Sequence, residues 1–329
     1  MTVTKHFGSK EAAAGTAKKD SPCPPAPTGK RPNLKTRRIG LVSRNYWEKL
    51  PRKNDFSGVL KRVLAFLDSD AQKCDTVMFS LWSMIRPFPV RHLLTEMALT
   101  HIKAVLYEEF DLKDNVTEET ISKQESFPAK STRFVVCHRT GGVWNEYTFK
   151  QVFGSLNPRK RDRREAKAAG WRIKDWMTEK ANCLMSQIPR RTVGDCCVLL
   201  CGESNIVRYS RDDTEIKIRD QSHIKTVIPK SVRVILNPVH DRMSSKFMNP
   251  KRQFLSERPS RWVLSIWNKG KKKNGRQRFD GKGPAWTVFF NRTPVDIERL
   301  ENPTGLKGLE VGVVDLDDRD RLKRKAHQT

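Results

Sequence analysis

Short apolar runs and amphipathic stretches alternate along the first third of the chain. Arg38-Ile39-Gly40-Leu41-Val42 is a continuous apolar run of the kind a buried strand requires. Phe56, Val59, Leu60, Val63, Leu64 and Leu67 then recur at spacings of three and four, which places them on one face of a helix over 56–70. Cys74-Asp75-Thr76-Val77-Met78-Phe79 predicts a second strand, Arg91–Thr100 returns to helical period, and Ile102–Tyr107 predicts a third strand. Strand and helix in alternation are the grammar of an α/β fold. Further on, Arg133–His138 and Val143–Val152 flank Thr140-Gly141-Gly142, a hairpin turn. Strand signals follow at Cys196–Leu200, Val232–Leu236, Trp262–Ile266, Trp286–Phe290 and Val311–Val314, without an internal repeat of fixed period.

Composition changes this picture mainly through charge. The 329 residues carry 64 Lys+Arg against 37 Asp+Glu, a formal net charge of +27. Such a balance attracts an anionic neighbour, whether nucleic acid, an acidic surface or an acidic substrate. The excess is uneven. Residues 1–38 hold nine Lys/Arg against two acidic residues, 155–180 nine against four, 265–283 seven against one, and 319–329 five against one. Residues 1–37 offer little to bury and are expected to be a disordered basic arm, 38–318 the folded domain, and 319–329 a basic tail. No run approaches the ~20 apolar residues of a membrane span, and the first 34 residues lack the apolar stretch of a secretory signal. A cytoplasmic protein is expected, whose seven cysteines do not form a disulfide framework.

The sharpest chemical feature is Cys196-Cys197-Val198-Leu199-Leu200-Cys201-Gly202-Glu203. Open α/β sheets present reactive groups at strand C-termini, and a glycine beside the thiol allows a tight bend. A thiolate at Cys201 could attack a carbonyl or nitrile carbon once a base or cation activates it. The same cysteines also suit a core as small apolar residues.

The order of these segments resembles the carbon–nitrogen hydrolase (nitrilase/amidase) superfamily. Ile39–Ser43, the helix of 56–70 and Cys74–Phe79 resemble its opening strand, helix and strand. Tyr147-Thr148-Phe149-Lys150 resembles the segment bearing its catalytic lysine, and Val198–Glu203 its nucleophile strand. Val232–Pro238, Arg252–Asn268, Pro284–Phe290 and Leu309–Leu316 are similar to its later elements, so the likeness spans about residues 38–318. It implies a four-layer α-β-β-α sandwich, a paired subunit, no metal or organic cofactor, and a Glu–Lys–Cys triad acting on an amide or nitrile substrate. Cys201 and Lys150 occupy the nucleophile and lysine positions. The family glutamate is not matched: Phe79-Ser80-Leu81-Trp82 stands there, with no carboxylate between Asp75 and Glu96. Glu108 or Glu109, after the next strand, or Glu203, two residues from the thiol, are the candidate replacements.

The alternative function is a catalytically degenerate hydrolase fold that binds nucleic acid or another partner through its basic segments. Lys271, Lys272, Lys273, Arg276 and Arg278 form a Gly-containing basic loop suited to non-specific contact with a phosphate backbone. Arg159–Lys180 carries Trp171 and Trp176, which read either as stacking aromatics or, preferably, as the core face of a surface helix. The seven histidines are scattered without metal-ligand spacing, and His240-Asp241 reads as a satisfied loop pair near the pocket.

Overall fold

The computed structural model describes residues 21–317 except 45–52, 87, 115–116, 118–128, 155–156, 212–215, 242–244, 259, 269–271, 274–275 and 278–282. The chain runs β1 (Thr28–Gly29), β2 (Arg38–Arg44), α1 (Lys53–Asp68), β3 (Thr76–Phe79), β4 (Met84–Ile85), α2 (Val90–Glu96), β5 (Ala104–Leu112), β6 (Ala129–Thr140) and β7 (Val143–Phe149). It continues with α3 (Lys160–Ala168), α4 (Ile173–Arg191), β8 (Thr192–Val193), β9 (Cys196–Val198), a 3-10 helix (Cys201–Ile206), β10 (Arg208–Arg211), β11 (Ile216–Arg219), α5 (Ile224–Val227) and β12 (Val234–Asp241). It closes with α6 (Ser245–Leu255), β13 (Trp262–Asn268), β14 (Lys272–Lys273), β15 (Arg276–Gln277), β16 (Trp286–Phe290), β17 (Thr293–Val295), β18 (Arg299–Leu300) and β19 (Leu309–Asp315).

Two sheets stack face to face with helices outside each. The first has the order β1-β7-β6-β5-β3-β2-β19-β18, the second β17-β16-β13-β12-β9-β8. Strict alternation along the strands produces the layers. Ile39, Leu41, Ala104, Leu106, Phe134 and Val136 of the first sheet meet Cys196, Val198, Leu236, Leu264 and Val288 of the second. Their neighbours Val42, Val105, Tyr107, Val135 and Cys137 face the other way, onto α1 and α2. Cys197, Leu199, Ile235 and Val263 likewise turn from the middle layer toward α4 and its neighbours. Both faces of each sheet are therefore dry, which explains why the strands read as continuous apolar runs. The architecture is the four-layer α-β-β-α sandwich.

Local sequence accounts for the helices. The predicted face of α1 (Phe56, Val59, Leu60, Val63, Leu64, Leu67) is buried against the first sheet. The charged stretch after Pro158 forms two helices, because Gly170 adopts φ +69° between α3 and α4. Trp176 is buried with Trp171 packed beside it, their rings 6.2 Å apart, so both serve the core behind the second sheet.

Residues 21–37 depart from the expectation of a mobile arm. β1 pairs antiparallel with β7. The Arg31 Nε donates to the Thr192 carbonyl at 2.8 Å, and the Asp195 carboxylate accepts the Thr36 amide at 3.2 Å. Cys23 and Cys183 are joined in a disulfide that ties the segment to α4, a bridge not expected from the sequence. Backbone pairing at a sheet edge and a covalent tie order a stretch whose side chains offer little to bury. Residues 1–20 and the tail 319–329 lie outside the described residues. Among the described residues no helix is long and apolar enough to cross a membrane.

Candidate active site

Cys201 follows β9 of the second sheet after two intervening residues, at the first residue of the 3-10 helix, with φ +24°. A non-glycine residue in the left-handed region is strained, and such strain concentrates at functional turns. Asn237, on the adjacent β12, donates from Nδ2 to the Leu199 carbonyl at 2.6 Å, and its Oδ1 accepts the Ser265 hydroxyl at 2.9 Å. The chain leading to the thiol is thus pinned to the middle of its sheet. Gly202 is required next: a Cβ there would lie 1.9 Å from the Gly154 carbonyl oxygen, so the 150–154 segment presses directly on the turn.

The partner of the thiol comes from β12. The His240 imidazole Nε2 is 2.9 Å from Glu108 Oε2, and Cys201 is a second hydrogen-bond partner of the same ring. Burial alone would lower the His240 pKa. The Glu108 carboxylate and the Cys201 sulfur facing the ring outweigh it and push the value up to about 10. The same Glu108 oxygen accepts the Trp82 amide at 2.9 Å, and the Trp82 indole stacks on the imidazole with ring centroids 4.1 Å apart. Trp82 also has positive φ, +57°. Its turn is held by Asn268, whose Nδ2 donates to the Leu81 carbonyl at 2.6 Å while its Oδ1 accepts the Ser80 hydroxyl at 2.6 Å. Glu108 comes from the first sheet and Cys201 and His240 from the second, so the constellation spans the two.

The three replacement carboxylates separate by geometry. Glu108 shares the inward side of β5 with Ala104 and Leu106 and meets His240. Glu109, one residue on, turns to the other side and binds the Arg133 Nε at 2.7 Å, with Arg86 at 3.4 Å. Glu203 is fully buried. Its Oε2 accepts Arg191 Nη1 at 2.5 Å and the Leu200 amide at 2.8 Å, while its Oε1 accepts the Val152 amide at 2.8 Å. Burial pushes the Glu203 carboxyl upward against the opposing pull of Arg191 and the two amides. Glu203 therefore fastens the 150–154 segment to the turn that follows β9, and Arg191 extends the tie to the Lys150 carbonyl at 2.6 Å.

Lys150, Trp82, Cys201 and His240 line one cleft of about 420 Å³, together with residues of the 150–154 segment and α3. The other described thiols differ from Cys201 in setting. Cys74, Cys137 and Cys197 are buried, and burial pushes each up to about 12; Cys196 is driven upward by the same cause. Among the described residues no cluster of three or more His, Cys, Asp or Glu is placed to hold a metal ion. Of the basic loop, Lys272, Lys273 and Arg276 fall in the β14–β15 hairpin, whereas Lys271 and Arg278 lie outside the described residues.

No protein-family model and no curated protein matches the sequence. Solved structures do resemble the fold. Nit3 of Saccharomyces cerevisiae, a member of branch 10 of the nitrilase superfamily, is 9% identical with a TM-score of 0.45, over 90% of this chain and 96% of that one. XC1258 of Xanthomonas campestris, a CN-hydrolase superfamily protein, is 12% identical with a TM-score of 0.44, over 89% and 95%. These neighbours are nitrilase-superfamily proteins. The C. elegans NitFhit protein is 12% identical with a TM-score of 0.43; the match covers 89% of this chain and 64% of that one. At such identities and scores the likeness is one of fold alone.

Two residues of the site were not assigned a role from sequence. His240 reads there as a loop pair, and Trp82 only as part of a segment lacking the family glutamate. Glu108, in the inward-facing series of Ala104 and Leu106, was the available signal, because a buried carboxylate requires a partner.

Proposed function

We propose that the protein is a thiol-dependent hydrolase of non-peptide C–N bonds, with Cys201 as nucleophile, His240 as general base and acid, and Glu108 orienting the imidazole. The observation that carries this reading is the single ring of His240 bonded to both the Cys201 thiol and the Glu108 carboxylate. Nucleophile, base and orienting carboxylate in series form the triad logic of acyl transfer. His240, whose pKa of about 10 keeps the ring protonated near neutrality, already holds the proton given up by the thiol when the sulfur attacks an amide or nitrile carbon. With an amide the imidazolium then gives this proton to the departing nitrogen, leaving a thioester; with a nitrile it gives it to the nitrogen of a thioimidate, which adds one water and releases ammonia to reach the same thioester. Water, deprotonated by the same ring, releases the acid and restores the thiol. Lys150, in the same cleft, is the cation assigned to the charge that develops on the attacked group. Glu203 and Glu109, committed to arginines and backbone amides, take no part in proton transfer.

The test is release of ammonia or amine from a panel of small aliphatic amides and nitriles. Turnover that Cys201→Ala abolishes and His240→Asn lowers by about 10²–10⁴-fold supports the reading. Turnover that survives Cys201→Ala contradicts it. The second reading, nucleic-acid binding, is favoured by the paired basic hairpin of Lys272–Lys273 with Arg276–Gln277. Its mark is association with duplex or single-stranded nucleic acid that weakens steeply with salt and is unchanged by Cys201→Ala.

A further inference from the structure

The cleft beside Cys201 has an uneven charge. Lys130, Lys150, Arg159, Arg161 and Lys180 line it against only Asp162 and Glu165. The two carboxylates are already committed. Asp162 accepts Lys180 at 2.8 Å and the Arg159 backbone amide at 2.9 Å. Glu165 accepts Arg161 at 2.6 Å and lies 3.5 Å from Lys180. Lys130 reaches outward to Asp114 at 3.4 Å. Lys150 forms no ion pair among the described residues, and Arg159 reaches Asp162 by its main chain and otherwise acts on that carboxylate only as a nearby positive charge. Its guanidinium forms no ion pair among the described residues and rests over Gly154, 3.7 Å from where a Cβ would stand. Gly154 in turn touches Gly202, the residue after the nucleophile. A planar fork of donors is thereby placed one residue's thickness from the reacting turn.

We infer that Arg159 recognises an oxyanion on the substrate, so that the compounds processed at Cys201 are acidic acyl compounds bearing a carboxylate or phosphate beyond the reacting carbon. This rests on the reading of Cys201 as nucleophile. A guanidinium binds either oxyanion through two parallel hydrogen bonds, which fixes orientation as well as charge. Lys150 remains the cation for the reacting group, and Arg159 determines specificity without touching the bond that breaks.

The test compares alkylation of Cys201 by iodoacetate and by iodoacetamide, in which the sulfur displaces iodide and only the charge of the reagent differs. Iodoacetate is expected to label Cys201 faster than iodoacetamide. Arg159→Gln should lower the iodoacetate rate by roughly tenfold and leave the iodoacetamide rate unchanged, with Arg159→Lys between. Succinate and inorganic phosphate are added as protectants at equal ionic strength. Protection by succinate alone assigns the oxyanion as a carboxylate, and by phosphate alone as a phosphate, provided that Arg159→Gln removes it. Equal response of both reagents to Arg159→Gln, or protection by neither anion, overturns the inference while leaving the nucleophile in place. If neither reagent labels Cys201, the nucleophile reading falls and this inference with it.

Discussion

His240 is where three independent contacts meet: a thiol, a carboxylate and an indole face. Its pKa moves from an ordinary 6.5 to about 10, despite burial, because Glu108 and Cys201 favour the charged ring. The group binds its proton more tightly folded than unfolded. The stability it contributes is therefore complete below pH 6.5 and lost as pH rises through about 10. The urea midpoint of the wild type should accordingly fall between pH 7 and pH 10 by more than that of Glu108→Gln. Glu108→Gln should also bring the ring's titration down toward neutrality, visible by NMR as a His240 resonance moving between pH 6 and 8. A ring that titrates identically in both proteins contradicts the pairing. Arg191 and Glu203 represent the other kind of buried charge. Both are 0% exposed, and removing one partner strands the other, so Glu203→Ala should cost about 3–5 kcal/mol in chemical denaturation.

At the scale of elements, alternation explains what was legible and what was not. In β5 the inward parity of Ala104 and Leu106 continues to Glu108 and excludes Glu109, which was readable once the strand was placed. In β12 the parity fails. The register shifts between Pro238 and Asp241, so a count from Leu236 does not tell which way His240 turns. That irregularity hid the imidazole that meets Glu108. The split of the Arg159–Lys180 stretch at Gly170 and the backbone pairing of β1 were similarly invisible, because neither leaves an apolar period. The long strands of the two sheets, dry on both faces, and α1, with its one apolar face, were plain. The Trp82 turn depends on a distant element, the end of β13. Asn268→Ala would orphan the buried Leu81 carbonyl and the Ser80 hydroxyl. It should destabilise the fold by about 1–3 kcal/mol and slow Cys201 chemistry by loosening the Trp82 contact with Glu108. Differential scanning calorimetry with parallel rate measurements on the same variant checks both.

Across the whole molecule, the two sheets contribute different parts of one constellation, so the packing of the middle layer sets the distance from Glu108 to His240. The Cys23–Cys183 bridge closes a separation of 160 residues and fastens the N-terminal segment to α4, the helix that ends in Arg191. Cys23→Ser should lower stability by about 2–4 kcal/mol in oxidising buffer and by nothing in dithiothreitol; equal losses in both would remove the bridge as the cause. Activation of Cys201 by His240 has to be distinguished from exposure, which alone would also favour its labelling over the buried thiols. The most direct measurement is therefore the rate of iodoacetamide modification at Cys201 at pH 7, mapped by peptide mass, in the wild type and in His240→Asn. Labelling at Cys201 is expected well ahead of Cys74, Cys137, Cys196 and Cys197, and slowed by roughly tenfold or more in His240→Asn. Equal Cys201 rates in the two proteins would contradict activation by His240.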